Sequence, residues 1–76
     1  MKIEIRLFAA FRQGREKKQI LELEDGTTIT QILEILEIPK EEVAILLLNG
    51  FDGGLDRELN DSDVLSLFPP VGGGWW

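Results

Sequence analysis

The sequence contains no cysteine and no histidine. Those two absences remove disulfides, thiolate nucleophiles, zinc fingers, imidazole bases and imidazole metal ligands. Cations are scarce as well: eight Lys and Arg stand against fourteen Asp and Glu, for a net charge of −6. Nucleic-acid binding requires a clustered basic footprint, so that class is disfavoured. The one basic cluster is Arg12, Arg15, Lys17 and Lys18. It falls where a hairpin loop is expected and reads as a solvated loop. Long apolar runs are missing too. The longest, Val43 to Leu48, is far too short to span a bilayer, and Met1 leads directly into a strand pattern rather than a signal peptide. A cytoplasmic chain without membrane or nucleic-acid partners is expected.

What is present suits one small globular domain. At 76 residues the chain lies near the lower limit for a single core, and 43% hydrophobic with 29% charged residues argues against disorder. "KIEIRLF" alternates, with Ile3, Ile5 and Leu7 on one face and Lys2, Glu4 and Arg6 on the other. That pattern predicts a half-buried strand. "RQGREKK" breaks it as a turn, and "QILELE" alternates again with Leu21 and Leu23 inward, completing a hairpin. Asp25-Gly26 then signals a turn, and Thr28 with Gln31 has the spacing of a capping box. Ile29, Ile32, Leu33 and Leu36 follow at helical spacing, predicting a helix of about three turns that Pro39 ends.

The run "VAILLLNG" predicts a well-buried strand ending in an Asn-Gly turn. "FDGGLDRELNDSD" reads as loops, or as a brief strand or helical turn around Leu55 to Leu59. "DVLSLF" is the last strand, with Leu65 and Leu67 inward and Val64, Ser66 and Phe68 outward. Pro69 and Pro70 end its ladder and favour an extended exit. The order strand, strand, helix, strand, irregular segment, strand predicts one helix packed across a mixed sheet of four to five strands.

"FPPVGGGWW" carries the one conspicuous chemical feature. Glycines without β-carbons suit a peptide that must enter a narrow channel. A chain ending on glycine would offer an unhindered carboxylate for activation with ATP. The resulting acyl-adenylate is a mixed anhydride from which a sulfur or amine nucleophile displaces AMP. The catalytic groups would belong to the activating enzyme. The plain alternative is a floppy terminus, which the two prolines and the well-patterned strand before them argue against.

"LFAAFRQ" and "LNDSDVLSLFPPVGGG" resemble the sulfur-carrier proteins MoaD and ThiS, of which the small subunit of molybdopterin synthase is the nearest type. That family has an L-x-D-G-D turn before its last strand and a PPV-x-GG terminus; here Ser62 stands where glycine is usual. The resemblance implies an α+β, ubiquitin-like β-grasp domain over residues 1–70 and a flexible tail over 71–76. It implies a protein co-substrate rather than an enzyme, binding no cofactor or metal of its own. Gly74 would be adenylated by an E1-like adenylyltransferase that uses ATP and Mg, with Gly72, Gly73 and Gly74 threading into that enzyme. Sulfur transfer would then give a thiocarboxylate that serves molybdopterin, thiamine or sulfur amino acid synthesis. The acceptor partner would be a synthase or sulfhydrylase, such as the molybdopterin synthase large subunit.

Trp75 and Trp76 depart from that pattern. A precursor cut after Gly74 by a JAMM-type zinc peptidase is expected, as in ubiquitin-like relatives with extensions. Two other readings stay open: a neutral extension, and a permanent hydrophobic anchor on a non-catalytic β-grasp interaction module. Conjugation of Gly74 to lysines, as a ubiquitin-like modifier, also stays open. Alternation places Phe8 and Phe68 together on the face opposite the core, where an exposed aromatic pair forms a partner surface or is covered by the chain's own loops. The resemblance favours the partner surface, continued by Pro69, Pro70 and Val71. Phe11 and Phe51 are expected to be packing residues.

Overall fold

The computed structural model describes residues 1–70; Val71, Gly72, Gly73, Gly74, Trp75 and Trp76, and with them the expected tail, lie outside the described residues. Five strands form one mixed sheet: β1 (Lys2–Leu7), β2 (Lys18–Glu22), β3 (Ile45–Leu48), β4 (Phe51–Asp52) and β5 (Val64–Phe68), with a single α-helix, α1 (Ile29–Leu36). Their spatial order is β2-β1-β5-β3-β4. β1 and β5 run parallel, and the other neighbours are antiparallel. No helix among the described residues is long and apolar enough to cross a membrane.

Period-two alternation decides the core. Ile3, Ile5 and Leu7 of β1 and Leu65 and Leu67 of β5 are fully buried against Ile29, Ile32, Leu33 and Leu36 of α1. Phe11, delivered by the 3₁₀ turn Ala9–Arg12, completes this core as expected of a packing residue. Truncating one such leucine to alanine costs about 2–5 kcal/mol, more than any single cap or turn described below.

Thr28 and Gln31 form the anticipated capping box, each side chain bonding the other's backbone amide at 3.1 and 2.9 Å. The helix is shorter than expected, eight residues, and stops before Pro39 is reached. Glu37 adopts a left-handed conformation (φ 58°), and Ile38 N–H reaches back to Leu33 O at 2.9 Å. This is a Schellman ending, and it turns Ile38 into the core instead of extending the helix. Arg15 donates to the carbonyls of Leu36 and Glu37 at 3.2 and 3.3 Å, placing a cation at the negative end of the helix dipole. The basic cluster lies in the β1–β2 connection with Arg12, Lys17 and Lys18 exposed, as expected of a solvated loop, although Arg15 and Arg12 also hold backbone carbonyls and Lys18 begins β2.

Three further expectations change. In β3 only Leu46 is buried, because the strand alternates like the others despite its unbroken apolar sequence. The brief strand of the irregular segment is Phe51–Asp52, while Leu55 and Leu59 lie outside any strand or helix and pack against the core from loops. Phe51 is 74% exposed, hence no packing residue. It follows the Asn49-Gly50 turn, whose two positive φ values (52° and 87°) match a type I′ hairpin.

The segment before β5 is built as a clamp. Asp61 accepts the Lys2 amide at 2.7 Å, and Ser62 N–H donates to Lys2 O at 2.8 Å. Asp63 accepts from Asn60 N and Asn49 Nδ2, while Asn49 Oδ1 accepts the Val64 amide at 2.9 Å. Ser62 sits at φ 71°, the left-handed region that glycine occupies without a β-carbon penalty. Ser62→Gly should therefore raise stability by about 0.5–1 kcal/mol and the melting temperature by roughly 3–6 °C in a thermal scan. The Lys2 amide, helped by the charge of the Met1 amino group, holds the Asp61 carboxyl below its ordinary value of 3.8. A depressed carboxylate stabilises the fold above its unfolded pKa, and that contribution disappears as pH falls through the folded value. Asp61→Asn should lower stability at neutral pH and show less further loss below about pH 4 than the parent, in urea titrations across that range.

Candidate functional site: the exit of the last strand

β5 is the middle strand, hydrogen-bonded to β1 on one side and β3 on the other. The pairing persists to its end: Phe8 N–H donates to Leu67 O at 3.2 Å and Ala44 N–H to Phe68 O at 2.8 Å. Pro69 follows, with no amide hydrogen to continue the ladder. The chain thus leaves the sheet from its centre, beside Phe8.

The two aromatic rings that alternation placed on the outer face meet there. Phe8 and Phe68 stack with centroids 4.3 Å apart and planes inclined by 9°. Each is half-buried, so the pair partly covers itself while leaving ring surface accessible. Arg12 joins them. Its Nε donates to Leu7 O at 2.7 Å, and its guanidinium carbon lies 5.2 Å from the Phe8 centroid. A cation fixed over an aromatic face contributes about 0.5–1 kcal/mol at an exposed site. The left-handed Ala9 (φ 54°) lets the chain reverse so that Phe11 enters the core while Arg12 returns over Phe8.

β3 extends the surface. Ile45 is paired with Phe68 and Leu47 with Ser66, on the same outer face. Ile45 is 43% exposed and Leu47 half-buried. Pro69 is half-buried and Pro70 exposed at the rim. Phe8, Phe68, Pro69 and Pro70 therefore come together as the sequence predicts, whereas Val71, Gly72, Gly73, Gly74, Trp75 and Trp76 lie outside the described residues. Sequence reading missed Arg12, Ile45 and Leu47. The signal for the last two was available: any paired strand turns every second residue outward, however apolar its run.

No polar or charged side chain is buried among the described residues, and no group of three or more acidic residues is placed to hold a metal. Around Phe8 and Phe68 the described surface is thus largely apolar, with Arg12 over one ring, Arg6 paired to Glu4 on the same face of β1, and the departing Pro69-Pro70 segment at its rim.

Comparison with known proteins agrees with that geometry. The family model described as the ThiS family matches residues 5–74. Small archaeal modifier protein 3 of Haloferax volcanii is 32% identical, covering 97% of this chain and all of the relative. A putative molybdopterin converting factor subunit 1 from Pyrococcus furiosus superposes with a TM-score of 0.76 at 32% identity, covering 93% of this chain and 99% of that one. A protein–protein complex of subunits 1 and 2 of the molybdopterin-converting factor from Helicobacter pylori contains a chain with a TM-score of 0.67 and 34% identity, covering 97% of this chain and 100% of that one. With one helix on a five-stranded mixed sheet, and a match over nearly its whole length, the chain belongs to the ThiS/MoaD family of ubiquitin-like β-grasp proteins.

Proposed function

We propose that this protein is a sulfur carrier whose working terminus is Gly74, formed after Trp75 and Trp76 are removed. The observation that carries this reading is the position of β5: a central strand ending in Pro69-Pro70 beside the Phe8–Phe68 stack, in a chain whose family match runs through Gly74 and no further. An E1-like adenylyltransferase holds the outer face and receives Gly72, Gly73 and Gly74. The Gly74 carboxylate attacks the α-phosphate of ATP with Mg, both held by that enzyme, and pyrophosphate leaves. A hydrosulfide equivalent then displaces AMP from the acyl-adenylate, leaving a thiocarboxylate. Until a JAMM-type zinc peptidase cuts after Gly74, no carboxylate exists there to be activated. The carrier acts as co-substrate, and its acceptor is a synthase or sulfhydrylase of the kind that pairs with a converting-factor subunit 1.

A second reading has its own support. The Haloferax relative is named a modifier protein, and an amine nucleophile on the same adenylate would give an amide to a lysine instead of a thioacid. Activation is shared, and the acceptor divides the two.

The intact mass of the protein isolated from its native host tests both. The carrier reading expects loss of both tryptophans and a fraction with sulfur in place of one terminal oxygen. Lysine adducts bearing a Gly-Gly remnant, with no thioacid form, would favour the modifier. A mass that always retains Trp75 and Trp76 would sink both. The docking face makes a separate prediction. Phe8→Ala removes the ring on which Phe68 and Arg12 rest, and should weaken association with the activating enzyme by about 30-fold, as expected for a central aromatic hot spot near 2 kcal/mol. Circular dichroism should show the fold retained, and unchanged affinity would remove the stacked pair from the interface.

A further inference from the structure

The sheet has two edges, β2 and β4. Exposed edges invite pairing with other chains, and proteins blunt them by shortness or by charge. β4 is two residues long, but β2 has five, and its middle residue Ile20 is 63% exposed. The hydrogen bonds flanking β2 fix which of its groups face outward. Leu23 N–H donates to Met1 O and Leu7 N–H to Lys17 O, both at 2.8 Å. In an antiparallel ladder the bonded residues alternate, so Gln19 and Leu21 also face β1. Lys18, Ile20 and Glu22 therefore direct their N–H and C=O groups away from the sheet.

Beside the end of this edge runs a groove of about 580 Å³ between β2 and α1. Its apolar floor is Leu23 and Ile35, the latter 54% exposed on the helix. Glu22, Glu24 and Glu34 line its rim with Gln31, and no cation lines it. An open backbone edge, an apolar floor and walls of one charge specify an occupant more narrowly than any of the three alone.

We propose that the β2 edge and this groove take up an extended, basic segment of a partner protein as an added strand. Its backbone bonds Lys18, Ile20 and Glu22, and alternate side chains fall on the two faces of the sheet. Apolar residues on the helix side cover Leu23 and Ile35, while Lys or Arg residues on the opposite face reach Glu22 and Glu24. The net charge of −6 steers such a segment inward. Glu22 pairs with Lys2 and Leu67 with Leu7, so the groove lies toward the end of the sheet opposite the β5 exit. The proposal does not rest on the sulfur-carrier reading.

The test is an amide NMR titration of the full chain with a capped hexapeptide of alternating Lys and Val, and with its Glu-Val counterpart. The expected result is shifts confined to residues 18–24 and 31–35, with slowed exchange of the Ile20 amide, for the basic peptide alone. The Glu22→Lys/Glu24→Lys double variant, whose changes are both at exposed positions, should lose at least about ten-fold in affinity. Ile20→Pro removes an outward amide that the native ladder does not use, and should abolish binding while the remaining amide spectrum reports an intact sheet. No shifts, equal shifts with the acidic peptide, unchanged affinity in the Ile20→Pro protein, or charge-dependent shifts without Ile20 protection would each overturn the proposal.

Discussion

The hydrogen bonding of Val64–Phe68 on both sides constrains everything that follows it. A strand held by one neighbour can fray from its end, but β5 is gripped by β1 and β3 up to the carbonyl of Phe68. Leu65 and Leu67 add full burial beneath it. The clamp of Asp61, Ser62, Asp63 and Asn49 sets where the strand starts, and a one-residue slip there would turn Leu65 and Leu67 to solvent. The motif preceding β5 thus works structurally: its aspartates bind backbone and side-chain amides, and by fixing register they fix the point from which Pro69 departs.

That constraint explains why the Phe8–Phe68 surface needs so few parts. With the backbone of Phe8 tied to Leu67, the two phenyl rings are placed by strand geometry before any side-chain preference acts. Arg12 is oriented by a carbonyl rather than by a carboxylate, so its charge stays uncompensated by any anion within bonding reach among the described residues. An aromatic pair with a fixed cation gives a partner both area and orientation at little ordering cost. Stacking energy alone, about 0.5–1.5 kcal/mol, is small beside the burial of Leu65 and Leu67, so the face depends on the core and not the reverse.

Much of this was legible because it follows from periodicity. The faces of β1, β2 and β5, the capping box at Thr28 and the stripe on α1 are local patterns, and local patterns survive folding when the core agrees with them. What escaped was non-local or backbone-directed. Arg15 caps a helix that begins fourteen residues later in the chain, and Arg12 bonds the Leu7 carbonyl across the left-handed Ala9. Composition marks arginines as charges, and it cannot say which carbonyls they reach. Phe51 was misplaced because its environment depends on a two-residue strand at a sheet edge, where little chain packs above it. The apolar run at Val43–Leu48 misled for the opposite reason: hydrophobicity on both faces signals burial on both, yet here one face of β3 is left to form the surface around Phe68.

The distribution of charge over the two ends of the molecule gives that outer surface a further meaning. Around the β5 exit the described surface is largely apolar, with Arg12 over Phe8 and Arg6 on the same face, whereas the groove beside β2 is walled by glutamates. A patch that suits Arg12 and the phenyl rings offers no positive charge to Glu22, Glu24 and Glu34, so the two regions call for different complements. The glutamate-walled groove lies at the Lys2 end of β1 and the β5 exit at its Leu7 end. On the carrier reading proposed above, each enzyme in turn would need the same terminus, and a second surface away from it would let another protein stay bound while the terminus changes hands.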